Sequence, residues 1–270
     1  MKRLLCFAAV FAAVGAVEAL AVNVSENNGV WIIETDTYVL HFREMNRAGY
    51  SEIYPSRLLD ATSLVGPDQP RSFYHSAQYD GWVQWGNAVS VDEVLNEKKT
   101  LIMEYEVDDG NSKRYLVTAT YWDGAPYWKH EVVVEAKKPV VSFSNAHEPM
   151  SEPRNGMGAN NEYQAWDDPI AHVAFANENG FFALYTEMGS AIAVGGWQGD
   201  GRMHLNHNDL GVQLEEGDSS DPLVYYMAAG TGDLEDAHDL AEQVTQEPAS
   251  LSVDPAEKLA MRWADLKRSF

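Results

Sequence analysis

Cysteine is nearly missing from this chain: Cys6 is the one cysteine in 270 residues, and it lies inside an apolar run at the start. The rest of the chain therefore has no disulfide, no thiolate metal site and no cysteine nucleophile. Basic residues are also scarce. Lys and Arg total 19 against 41 Asp and Glu, for a net charge of -22. That balance argues against nucleic acid or an anionic membrane as partner, because both select basic surface. It fits an acidic, solvated exterior. The longest apolar run, residues 4–17, falls short of the ~20 residues a membrane-spanning helix needs. No G-x-S-x-G, H-E-x-x-H, P-loop or dinucleotide fingerprint is present, so serine-hydrolase, zincin and nucleotide chemistries lack support. There is no internal repeat and no low-complexity segment.

What is present begins with an export pattern. Lys2 and Arg3 precede the apolar run, and Ala19-Leu20-Ala21 follows it as an A-x-A cleavage site, with Val17-Glu18-Ala19 as a second. Residues 1–21 are expected to be a signal peptide cut near Ala19 or Ala21, which makes the mature protein secreted or periplasmic. Cys6 precedes the cleavage site and so offers no lipid anchor there.

Most of the remainder alternates at period two, with turn residues between segments. Residues 30–34 and 38–42 read as a first hairpin. Residues 101–107 and 115–121 alternate on either side of Asp108-Asp109-Gly110-Asn111, the clearest hairpin in the sequence. Strands are expected at 128–135, 140–144, 170–176, 181–186, 191–197, 203–206, 211–214 and 223–228. After Gly230 the period changes. Leu234, Ala237, Ala241 and Val244 form a helical stripe capped by Asp233 or Thr231 and stopped by Pro248. A second helix is expected from Pro255, with Leu259, Trp263 and Leu266 on one face. About a dozen strands followed by two helices make a sandwich or barrel. The expected domains are 22–230 for the β portion and 231–270 for the helical segment. Residues 145–169 stand apart as an irregular insertion that holds His147, Trp166, several Asn and several carboxylates. Insertions of that length tend to be functional.

Several stretches resemble galactose-mutarotase-like β-supersandwich domains of carbohydrate-active proteins. They are Tyr38-Val39-Leu40-His41-Phe42 with Ser51-Glu52-Ile53, then Thr118-Ala119-Thr120-Tyr121-Trp122 with Ala125-Pro126-Tyr127. Glu215-Glu216-Gly217-Asp218, Leu223 through Gly230, and the helix opening at Asp233-Leu234-Glu235-Asp236-Ala237 complete the set. The resemblance implies a mainly β, antiparallel supersandwich with two C-terminal helices. It also implies a polysaccharide or oligosaccharide partner. The family's epimerase signature of two histidines and a carboxylate is matched only by order, at His75 or His147, so those roles are not transferred.

The candidate residues follow from the chemistry a glycan demands. An aromatic face stacks on the C–H face of a sugar ring while the hydroxyls keep polar partners. Trp82, Trp85 and above all Trp166, beside Asp167 and Asp168, are candidate platforms; packing between sheets is the other use of such residues. β-Elimination on a uronic-acid polysaccharide needs a base, an acid and a group that neutralises the carboxylate. His147, Tyr163 and Arg154 are the candidate catalytic set, with Asn160, Asn161 and Glu148 binding substrate. Hydrolysis would instead need two carboxylates across the scissile bond, from Glu148, Glu162, Asp167 and Asp168. A carbohydrate-binding domain without catalysis, or the N-terminal domain of a glycoside hydrolase, is the alternative. No cofactor and no metal is expected. His204 and His207 lie at i, i+3 rather than the i, i+2 that puts two ligands on one strand face. The acidic turns could hold Ca²⁺, but none follows an EF-hand loop.

Overall fold

The structure, a computed structural model, describes residues 22–45, 47–58, 60–66, 73–78, 82–84, 86–97, 99–138, 148–154, 161–187, 191–194, 203–207 and 214–248. In chain order the strands are β1 (Asn23–Asn27), β2 (Val30–Glu34), β3 (Val39–Arg43), β4 (Gly49–Tyr54), β5 (Phe73–Gln78), β6 (Trp82–Gln84), β7 (Ala88–Glu97), β8 (Thr100–Asp108) and β9 (Lys113–Trp122). Then come β10 (Tyr127–Ala136), β11 (Glu148–Ser151), β12 (Glu162–Trp166), β13 (Ala171–Asn177), β14 (Gly180–Thr186), β15 (Ala191–Val194), β16 (Met203–His207), β17 (Leu223–Gly230) and one short helix, α1 (Leu234–Asp239). β1 to β4 form a four-stranded meander. An eight-stranded sheet runs β12-β13-β14-β17-β10-β9-β8-β7, and a five-stranded sheet runs β15-β16-β11-β5-β6. The protein is mainly β, with antiparallel sheets in a sandwich-like arrangement.

Alternation builds the core. On β8, Leu101, Met103, Tyr105 and Val107 are buried, while Ile102, Glu104 and Glu106 are half-buried. Phe42 of the four-stranded sheet meets Tyr105 at 4.8 Å, and Tyr38 meets Trp128 at 4.8 Å. Phe73 of the five-stranded sheet meets Phe182 of β14 at 6.0 Å. The two smaller sheets thus share the inner face of the large one. β14 breaks the alternation because it is buried on both faces. Phe182 and Leu184 point into the main core, whereas Phe181, Ala183 and Tyr185 join a second cluster with Ala237, Ala241 and Val244. Gly180 opens β14 at φ +130, and a Cβ there would lie 2.1 Å from the Gly230 carbonyl oxygen, so only glycine fits.

α1 follows its sequence signals closely at the start. Asp233 accepts from the Glu235 and Asp236 amides, and the Asp236 side chain accepts from the Asp233 amide, a complete capping box. The helix ends after six residues in a single 3-10 turn, Leu240–Glu242, so it is shorter than the stripe implies. Two tyrosines bind this segment to the sheet: Tyr185 Oη donates to Ala237 O at 2.6 Å, and Tyr127 Oη donates to Gln246 O at 2.9 Å. The expected second helix from Pro255, the strand at 140–144 and the signal segment lie outside the described residues. Among the described residues no helix is long and apolar enough to cross a membrane.

The irregular insertion is a correction. Residues 145–169 contain β11 and β12. β12 is the edge of the eight-stranded sheet, with Glu162, Gln164 and Ala165 exposed, so one-sided packing leaves little apolar periodicity to read. β11 is short and includes Pro149, but lies centrally between β16 and β5 with Met150 and Ser151 fully buried. β1 and β7 also escape the pattern because both are edges with mostly polar exteriors.

One polar group sits inside the main core. His130 is 0% exposed on β10. Its Nε2 is 2.7 Å from Tyr50 Oη, and its Nδ1 is 2.7 Å from Tyr225 Oη. Tyr50 Oη in turn meets Tyr121 Oη at 2.9 Å. Tyr50 belongs to β4, while the others belong to the eight-stranded sheet, so the network bridges the layers. Burial lowers the His130 pKa to about 3. In the unfolded chain an ordinary histidine titrates near 6.5. The stability that neutral His130 contributes is complete above pH ~6.5 and is lost progressively as pH falls from there toward ~3. His130→Gln retains a donor and an acceptor but cannot titrate. Urea unfolding of wild type between pH 6 and 4 is therefore expected to show about one proton more of pH dependence than the variant, roughly 1.4 kcal/mol per pH unit. Parallel pH profiles would refute the assignment.

Candidate functional site

A ring cluster lies where β12, β13 and α1 meet. Trp166 and His172 are cross-strand partners of β12 and β13, and His238 enters from the last turn of α1. The Trp166 ring lies 4.6 Å from that of His172 at 11°, and 5.2 Å from that of His238 at 21°. The two imidazoles are 5.2 Å apart at 20°, and Tyr185 lies 5.3 Å from His172 at 16°. His172 is fully buried, whereas Trp166 and His238 are half-buried.

Hydrogen bonds fix the tautomers in sequence. His172 Nδ1 is 2.7 Å from Ile170 O, which only accepts, so Nδ1 carries the proton. Nε2 of His172 must then accept, and it lies 3.1 Å from His238 Nδ1, which donates. Burial lowers the His172 pKa; the bond to the Ile170 carbonyl opposes this, His238 adds to it, and Asp167 opposes it. The result is an indole plate braced by two imidazole rings. Asp167 and Asp168 are exposed beside it. Such an arrangement offers a flat apolar face with hydrogen-bonding groups at its rim.

The other sequence candidates divide by location. Tyr163 lies three residues before Trp166 and so on the opposite face of β12. It packs against the main core, 5.9 Å from Phe175, and burial raises its hydroxyl pKa. Asn161 accepts from Asn177 Nδ2 at 2.8 Å and steadies the β13–β14 turn. Arg154 is exposed, and its charge opposes the rise that burial gives the Tyr54 pKa. Glu148 and Trp82 lie on β11 and β6; their side chains, and all of His147, Asn160 and Trp85, are outside the described residues. Among the described residues no three His, Asp or Glu side chains gather to hold a metal ion. His172 and His238 went unseen in the sequence because each reads as a single histidine, and only the fold joins them.

No protein-family model and no curated protein matches the chain. Solved structures with a related shape include the GH36 α-galactosidase AgaB from Geobacillus stearothermophilus, at 9% identity and TM-score 0.47, over 78% of this chain and 41% of that one. They also include YidC from Thermotoga maritima, at 12% identity and TM-score 0.43, over 92% of this chain and 64% of that one. A putative aldose 1-epimerase from Escherichia coli K12 is similar at 11% identity and TM-score 0.41, over 74% of this chain and 98% of that one. This chain spans about four-tenths of the α-galactosidase's length. Two of the three names concern sugars and one does not, and likeness of this degree says nothing of activity.

The tautomer chain has a direct check. In ¹H–¹⁵N spectra His172 is expected to take up its second proton at a lower pH than a free imidazole and to carry its first on Nδ1, because its pKa is lowered. A His172 that titrates like a free imidazole, or carries its proton on Nε2, would contradict the arrangement.

Proposed function

We propose that this protein binds carbohydrate outside the cytoplasm, as a galactose-mutarotase-like supersandwich whose glycan platform is Trp166. The observation that carries the reading is the braced indole: Trp166 is half-buried at a sheet edge, parallel to His172 and His238, with exposed Asp167 and Asp168 adjoining. Preorganised aromatic planes bind sugar rings without first losing side-chain freedom. The export pattern of residues 1–21 supports an extracytoplasmic setting, where polysaccharides are abundant partners.

A finer reading is β-elimination on a uronic-acid polysaccharide, with His147 as base and Arg154 as carboxylate neutraliser. One feature favours it: Arg154 is exposed and makes no ion pair among the described residues. Glu148, Asn160 and Asn161, with Trp82 and Trp85, would line the substrate in that reading. No cofactor is assigned.

Titration calorimetry against a panel of oligosaccharides tests the main reading. Trp166→Ala is expected to weaken binding by roughly thirtyfold, the ~2 kcal/mol typical of an aromatic anchor. Circular dichroism should show the sandwich intact. Unchanged affinity in a folded variant would overturn the platform. Absorbance of unsaturated uronate products tests elimination; reducing ends without that absorbance would mean hydrolysis, and neither would mean binding alone.

A further inference from the structure

A second polar group lies on the outer face of the four-stranded sheet. His41 and Glu52 are cross-strand partners of β3 and β4, and their side chains are 24% and 19% exposed. Glu52 Oε2 is in short contact with His41 Nδ1. Tyr54, two residues beyond Glu52 and so on the same face, sets its ring 5.4 Å from the imidazole at 60°. Its pKa is pushed up to about 12, first by burial, then by its bond to Glu52 and the charge there, while Arg154 pulls it down. Backbone bonds fix the arginine beside this group. Leu64 N donates to Ile53 O at 2.8 Å, and Arg154 N donates to Leu64 O at 2.9 Å, which secures residue 154 next to the end of β4.

Each residue then has a defined chemical face. The Glu52 carboxylate only accepts, so His41 donates from Nδ1 and turns its Nε2 away from that bond. That nitrogen has no partner among the described residues. Tyr54 and His41 both give their protons to Glu52, which is thereby occupied. Arg154 keeps its guanidinium exposed and without an ion pair among the described residues, in a chain of net charge -22 where carboxylates are plentiful. An unengaged guanidinium fork in such surroundings matches a carboxylate brought by a ligand.

We infer that His41, Glu52, Tyr54 and Arg154 form a site for an acidic sugar: Arg154 holds the uronate carboxylate, and His41 Nε2, oriented by Glu52, hydrogen-bonds a ring hydroxyl. The inference rests on the carbohydrate reading above and adds the groups of β3 and β4 that would hold a uronate beside Arg154. It involves a face of the protein distinct from the Trp166 plate.

The test uses the full chain, an oligogalacturonate, and the same oligosaccharide with its carboxylates reduced to alcohols. Calorimetry is expected to give at least tenfold tighter binding of the uronate by wild type. Arg154→Gln should erase that preference, so that the uronate binds no more tightly than the reduced sugar. Saturating uronate should also shift the His41 ring resonances. Equal affinity for both sugars in wild type, a preference that survives Arg154→Gln, or an unmoved His41 would each overturn the inference. Binding of the reduced sugar that depends on Trp166, without any acid preference, removes this site and leaves the carbohydrate reading standing. Failure of both sugars to bind removes both.

Discussion

A fully buried imidazole must find its hydrogen bonds within the protein, and the placement of both polar surfaces follows from how His130 does so. Its two nitrogens are satisfied by tyrosines from opposite layers, Tyr50 on β4 and Tyr225 on β17. A neutral imidazole in that position tolerates little sliding of one sheet over the other, because an unmade bond there costs ~1–3 kcal/mol. The ring packing of Phe42 on Tyr105 and Tyr38 on Trp128 surrounds the network with apolar area. The same strands then carry the register outward. β4 buries Tyr50 and Ile53 and presents Glu52 and Tyr54 on its far face. β14 buries Leu184 inward and presents Tyr185 to His172 and α1.

Much of this was legible in the sequence where both physical signals agreed. The β8–β9 hairpin has strict alternation and a Gly-containing turn, and it forms as read. The Leu234, Ala237, Ala241, Val244 stripe buries the side it should, with Asp233 as its cap. Legibility failed where a strand had only one packed side or none of the usual period. β12 looked like a loop for that reason, and β14 is continuous because α1 covers its second face. The site divides in the same way. Trp166 was visible as an aromatic beside acidic turn residues. His172 and His238 lie 66 residues apart and meet only through the β12–β13 register and the docking of α1. His41 and Glu52 were within reach of the sequence, since pairing the 38–42 strand with the stretch holding Ser51-Glu52-Ile53 places them opposite one another, but pattern alone gives no reason to prefer that pair.

The two surfaces differ in what they ask of a ligand. Around Trp166 the offered face is planar and apolar, with acceptors at its edge. Around Arg154 the offered groups are a cation and an imidazole nitrogen oriented by Glu52. A glycan with both sugar faces and carboxylates is the kind of molecule that addresses both, and the low content of basic residues makes Arg154 the more telling of the two. Tyr163 belongs to neither surface, since its side of β12 is turned into the core.

The central claim is that Trp166 is the plane on which a sugar ring rests. A crystal structure of the protein grown with a bound oligosaccharide tests it most directly. The account predicts a sugar ring parallel to the indole of Trp166, with carbon–carbon contacts of about 4 Å and a hydroxyl reaching Asp167 or His238. A well-ordered oligosaccharide seated elsewhere, with Trp166 bare, would contradict it.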